Sequence, residues 1–215
     1  MMENVTKPHN LAAVARTSDA IGLLDIHAIT QRKSIKLTSM SASGVKKWIS
    51  VHTHSDTESG INYLRKQGMQ IVSSCLNETA VDYRQLDYTK PTAIIMGTEL
   101  EGTSNIAINQ SDSHIFIPMT GLVQSLNVSV ASALILYEAY RQRQAAGMYD
   151  VRQLDNERFL TLLFEWYHPK IARYCKQKKI PYPRINEQAE ILEPIADSIT
   201  HTDQNYSEWL SQQQL

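Results

Sequence analysis

One stretch constrains the fold more than any other: IFIPMTGLVQSLNVSVASALILYEAYRQR, residues 115–143. Ile115, Phe116 and Ile117 form a short apolar run that predicts a strand. Residues 118–127 hold Pro118, Gly121, Ser125 and Asn127 and predict an irregular segment. From Val128 the chain is apolar, turns basic at Arg141 and Arg143, and meets Gly147, which predicts a long helix. Strand, loop and helix amino end in that order is the geometry in which an α/β protein holds a small ligand. The N–H groups of the first helical turn are left over and point at whatever sits there. Ser125 and Asn127 offer either helix caps or ligand contacts, and a plain strand–cap–helix unit would use the same residues.

The same alternation recurs upstream. Asn10 is placed to cap a helix that Gly22 closes, and residues 23–29 (LLDIHAI) read as a strand. Residues 30–47 are polar and predict a loop with a short helix. Strands are expected over 48–53, 69–76 and 92–96, and helices over 56–67 and 103–110, with a turn-rich segment at 77–91. This pattern predicts an α/β fold with a mostly parallel sheet flanked by helices, over residues 1–150. Beyond it, a helical region over 154–179, interrupted near Pro169, predicts a carboxyl-terminal helical extension over 151–215 with an acidic tail after Asn186.

Composition excludes several classes. Apolar content of 42% and charged content of 20% read as globular. No apolar run approaches the roughly 20 residues of a membrane span, and the first thirty residues lack a signal-peptide pattern. A cytoplasmic protein is expected. Cys75 and Cys175 are far apart and form no CxxC pair, so they read as free thiols and no metal is expected. The net charge of −1 is unevenly spread: residues 170–184 hold Lys170, Arg173, Lys176, Lys178, Lys179 and Arg184 and no acid. Such a run, with Tyr174 and Tyr182 interleaved, suits either a face able to meet phosphate or a solvated helix face.

Three constellations bear on chemistry. Asn10 and Arg16 lie six apart on one helix, about 120° apart around its axis. Gly97-Thr-Glu99-Leu-Glu-Gly102 directly follows the strand TAIIM, so two glycines bracket a carboxylate. It is neither a dinucleotide GxGxxG nor a phosphate loop, which counts against a dehydrogenase. The third is residues 117–127 of the opening stretch.

Together, KPHNLAAVARTSDAIG, IIMGTELEG and IPMTGLVQSLNVSVASALILYEA resemble the three signature motifs of the SpoU, or SPOUT-class, RNA ribose methyltransferases, in order and spacing. Farther on, LLFEWYHPKIARYCKQKKIPYP resembles the extension of the TrmH branch, which methylates a guanosine ribose in the D-loop of tRNA. The resemblance implies a domain whose carboxyl end is tied in a trefoil knot, a homodimer, and S-adenosyl-L-methionine bound bent within the knot. It places cofactor contacts at Ser74, Gly97, Ile117 and Leu126. It places catalytic residues at Asn10, Arg16, Glu99, Ser125 and Asn127, while the basic run supplies the candidate RNA contacts, Lys170, Arg173, Lys176 and Lys179. Only six residues precede Lys7, where the tRNA branch carries a helical segment, and any consequence falls on RNA affinity rather than cofactor binding.

The chemistry suits these residue types. A ribose 2′-hydroxyl is a poor nucleophile at neutral pH, so its proton must be drawn away as it attacks the methyl. No histidine stands out as the base. Arg16 would grip an RNA phosphate through its planar fork. The same chemistry on ribosomal RNA, or a catalytically silent RNA-binding dimer, are the alternatives. The helix after Asn127 is apolar over most of its circumference, more than one sheet face needs, which predicts a homodimer contact.

Overall fold

Proline sets the first helix. α1 spans Pro8–Ala20 with Pro8 at its first position and Lys7 ahead of it. The ring fixes φ for helix entry and lacks an N–H that would have gone unpaired anyway. Asn10 is therefore not a cap, contrary to the sequence expectation: it lies inside α1 and is buried. The computed structural model describes residues 1–4, 7–30, 45–98 and 101–192, and the chain divides into two units, Met1–Val151 and Arg152–Leu215.

In the first unit, β1 (Asp25–Ile29) pairs in parallel with β2 (Ser50–His54). The short helix expected within 30–47 falls mostly outside the described residues; a 3₁₀ turn stands at Val45–Lys47. α2 (Thr57–Lys66) starts at Asp56, whose side chain accepts from the Ser59 N–H at 2.7 Å. Then come β3 (Gln70–Ser74), β4 (Val81–Asp82), β5 (Thr92–Ile95), α3 (Asn105–Gln110), β6 (Ser113–Phe116) and α4 (Val128–Ala145). Gly22, Gly68 and Gly147 follow their helices at positive φ, the C-terminal stops the sequence predicts. β3 is shorter than its apolar run: Cys75 still donates to Ile115 O (3.0 Å), but Leu76 is 83% exposed.

Every described strand pairing is parallel, in the order β4-β6-β3-β5 beside β1-β2. Residues 1–3 link the two groups. Met2 bridges in parallel to Ala28 and to Met96, donating its N–H to His27 O (2.8 Å), while Glu3 donates to Met96 O (2.9 Å). The two sheet faces are covered separately. Val72 and Ile115 pack with Leu11, Val14 and Ala15 of α1 and Ile135 of α4. Ile71, Ala93 and Ile95 pack with Ile61 and Leu64 of α2 and Ala107 of α3. Neighbouring Ile71 and Val72 thus bury opposite faces, the mark of a sheet sandwiched between helices.

The second unit contains α5 (Asn156–Tyr167) and α6 (Pro169–Lys178). It has its own core of Phe164, Ala172 and Ile185, with Leu160, Leu163 and Tyr182 against it. The acidic tail beyond Leu192 lies outside the described residues.

Candidate active site

The carboxyl ends of the parallel strands supply the site. β3 ends at Ser74, β5 runs into Met96 and Gly97, and β6 runs into Ile117. These ends, Thr98, Gly102, Thr103 and the loop before α4 line a cavity of about 250 Å³. Ser74, Gly97, Ile117 and Leu126 all line it, and so does Ser125. Residues far apart in the chain are brought together by strand register alone.

Gly97 has a structural reason the sequence did not show. A Cβ there would lie 2.1 Å from the Gly102 carbonyl and 2.2 Å from the Thr103 nitrogen. The chain folds back on it: Thr98 donates to Gly102 O (2.9 Å) and Gly102 donates to Thr98 O (3.1 Å). Gly102 sits at φ +69, a conformation that suits glycine at such a turn. Glu99 lies outside the described residues.

Asn127 caps α4, its side chain accepting from the Ser129 N–H at 2.9 Å. Its amide reaches Asn10 Oδ1 at 3.4 Å, so the buried Asn10 ties α1 to the start of α4. Among the described residues, no backbone group of residues 118–125 is hydrogen-bonded within the chain. These residues are exposed, and Met119, Gln124 and Ser125 among them line the cavity. Arg16 stands on the exposed side of α1, outside the cavity lining, and makes no hydrogen bond or ion pair among the described residues.

No histidine among the described residues lines the cavity. His27 instead stacks with His52 and His54, with Tyr63 of α2 tilted against it, and His27 Nδ1 and His54 Nε2 are 3.0 Å apart. Burial lowers His27 to about 4, so it is neutral at physiological pH. The residues sequence reasoning missed include Cys75, Leu76, Met96 and Thr103, all in the lining. Neighbourhood in the parallel sheet places them there, and no local signal marks them.

The basic segment is α6. Lys170, Arg173 and Lys179 are exposed, while Lys176 pairs with Glu165 at 2.9 Å. Tyr174 is 2% exposed and the Tyr182 hydroxyl donates to Glu165 (2.8 Å). Tyr174 is turned into the interior, and the half-buried Tyr182 packs against the core of this unit.

A doubly covered parallel sheet with a cavity at its strand ends defines a class: an α/β protein with the small-ligand site of such folds at its strand ends. Within that class the chain belongs to the SpoU rRNA methylase family, whose model matches residues 1–137, with the family's carboxyl-terminal model matching 141–194. It is 47% identical over 192 residues to the tRNA (guanosine(18)-2′-O)-methyltransferase of Escherichia coli K12, covering 88% of this chain and 84% of that one. The crystal structure of the A. aeolicus TrmH/SpoU tRNA modifying enzyme superposes with a TM-score of 0.68 at 34% identity, covering 84% of this chain and 88% of that one. The AdoMet-bound rRNA methyltransferase of Sinorhizobium meliloti superposes with a TM-score of 0.59 at 30% identity, over 65% of this chain and 54% of that one.

Proposed function

We propose that this chain transfers the methyl group of S-adenosyl-L-methionine to the 2′-hydroxyl of a guanosine in the D-loop of tRNA, at the position 18 named for its relatives. The observation that carries this reading is the meeting of Ser74, Gly97, Ile117, Ser125 and Leu126 around one cavity. The donor set fits the cofactor. Serine hydroxyls and loop backbone suit a polar amino acid and ribose, and Leu76, Met96 and Met119 suit the apolar faces of an adenine. We further propose that Ser74, Gly97, Ile117 and Leu126 hold the cofactor.

When bound, the cofactor supplies an electrophilic methyl on a sulfonium, and the reading calls for no metal. The chain's own residues do the rest. The exposed Arg16 grips a phosphate beside the target ribose and favours the developing alkoxide. Asn10, through its amide contact, fixes Asn127 and with it the start of α4. Ser125 and Glu99 border the reacting ribose in this reading. Lys170, Arg173, Lys176 and Lys179 of the second unit add phosphate contacts. We place the two functional domains at 1–150 and 151–215, and the trefoil knot of the family at the residues around the cavity. A homodimer is supported by Val130 (49% exposed), Leu134 (40%) and Tyr137 (51%), one apolar stripe of α4 beside Tyr83. Among the described residues no helix is long and apolar enough to cross a membrane; a cytoplasmic enzyme fits this reading.

The test is methyl transfer from labelled cofactor, with a chelator present, to bulk tRNA and to ribosomal RNA in parallel, followed by nucleoside digestion. Label in 2′-O-methylguanosine from tRNA is expected. Label only in ribosomal RNA would replace the substrate. Label on a base would overturn the reading, and intact protein that binds tRNA without transfer would leave a silent dimer.

A further inference from the structure

We infer that Glu3 is a positioning residue for the cofactor cavity; the inference rests on the reading of that cavity as the cofactor site. Glu3 is 4% exposed, its backbone held between β1 and β5. Its carboxylate accepts three hydrogen bonds: from the Ser104 N–H (2.8 Å), the Ser104 hydroxyl (2.6 Å) and the Thr57 hydroxyl (2.7 Å). Thr57 opens α2, and Ser104 caps α3, its Oγ accepting from the Ala107 N–H at 3.2 Å. A buried carboxylate is tolerated only with such a set of donors, and those donors are in turn stranded without it.

What sits beside Ser104 gives the carboxylate a role beyond packing. Gly102 and Thr103, the two residues ahead of it, line the cavity. Their backbone lies against Gly97, so close that no Cβ fits between. The Thr103 hydroxyl donates to Ser74 O at 2.7 Å, and Ser74 lines the cavity as well. Ser74, Gly97 and the 102–103 wall therefore form one mechanical unit, anchored at its far end where Ser104 meets Glu3. Glu3 itself does not line the cavity. It sets where the wall stands, and the wall sets the fit of the ligand.

The arms of the anchor can be separated. Thr57→Val removes the α2 bond alone, Glu3→Ala removes all three, and Glu3→Gln keeps one oxygen for the Ser104 N–H. Two readouts are taken on the full chain: the Kd for S-adenosyl-L-homocysteine by calorimetry, and amide exchange of the peptide covering 97–104 in unliganded protein. Coupling within one hydrogen-bonded network predicts binding weaker by about twofold to tenfold in Glu3→Gln and by about tenfold or more in Glu3→Ala. Exchange of that peptide should accelerate in both, while Thr57→Val lowers thermal stability and leaves both readouts at the parent's values. If Glu3→Ala does not fold, Glu3→Gln against Thr57→Val decides. Parent-like affinity and exchange in Glu3→Gln would overturn the inference, as would a Thr57→Val variant that shifts both readouts as far as the Glu3 variants do. A parent that binds no S-adenosyl-L-homocysteine would sink the functional reading instead, and the exchange readout would still judge Glu3.

Discussion

Gly97→Ala is the substitution whose effect follows most directly from the geometry. The added Cβ would stand 2.1 Å from the Gly102 carbonyl carbon and oxygen and 2.2 Å from the Thr103 nitrogen. These are backbone atoms, so no side chain can swing aside. Ordinary packing requires the 102–103 segment to retreat by roughly 1 Å, in an interior packed as densely as an organic crystal. That segment is held by the Thr98–Gly102 pair of hydrogen bonds and by the Thr103 bond to Ser74. Overpacking of this kind costs about 1–3 kcal/mol, within the roughly 5–15 kcal/mol of a typical domain. The variant should therefore fold, with a melting temperature lower by roughly 2–12 °C for a chain of this size. A wall displaced by about 1 Å should weaken cofactor binding on the order of tenfold to a hundredfold. Calorimetric titration with S-adenosyl-L-methionine beside thermal unfolding measures both. Gly121→Ala is the control, because a Cβ there meets nothing within 4 Å. A Gly97→Ala protein with the parent's affinity and melting temperature would refute the reasoning.

Arg16→Ala should stay within about 0.5 kcal/mol of the parent in stability, since Arg16 is exposed. Single-turnover methyl transfer should fall by roughly 10²–10⁴-fold, and Arg16→Lys should not restore it, because a point charge lacks the planar fork. Replacing Lys170, Arg173 and Lys179 by Gln should weaken tRNA binding and flatten its salt dependence, by about one unit of log–log slope for each phosphate no longer neutralised. Lys176 is kept, because its partner Glu165 also receives the Tyr182 hydroxyl; unchanged slope in the triple variant would make α6 a solvated face. His27 is lowered to about 4 by burial, below its value of 6.5 in the unfolded chain. The unfolded state then binds the extra proton between these values. Urea unfolding should show stability full above pH 6.5 and declining toward pH 4, with a shallower decline in His27→Phe; identical pH profiles for the two would contradict this.

The sequence exposed the helices more fully than the strands, and the site less than either. Asp56, Asn127 and the glycines at 22, 68 and 147 are local signals, and each stands at the helix end it predicts. Asn10 misled because an Asn ahead of an apolar run resembles a cap, whereas Pro8 had already begun the helix. β4, two residues long, is too short for any alternation to register, and the link made by residues 1–3 has no pattern of its own. The gathering of Ser74, Gly97, Ile117, Ser125 and Leu126 was legible only through family resemblance. It depends on β5 and β6 flanking β3, a non-local pairing that no spacing encodes. Tyr174 shows the converse error. Its place among charges suggested a surface, but helical periodicity turns it inward with Ala172 and Cys175.

The central claim is transfer to a ribose oxygen of one tRNA guanosine, and it is tested most directly by removing that oxygen. A tRNA assembled with a single 2′-deoxyguanosine at position 18 is compared with its all-ribose twin under labelled cofactor. The account predicts full methyl transfer to the ribose form and none to the deoxy form, with similar affinity for both. Undiminished transfer to the deoxy form would contradict it.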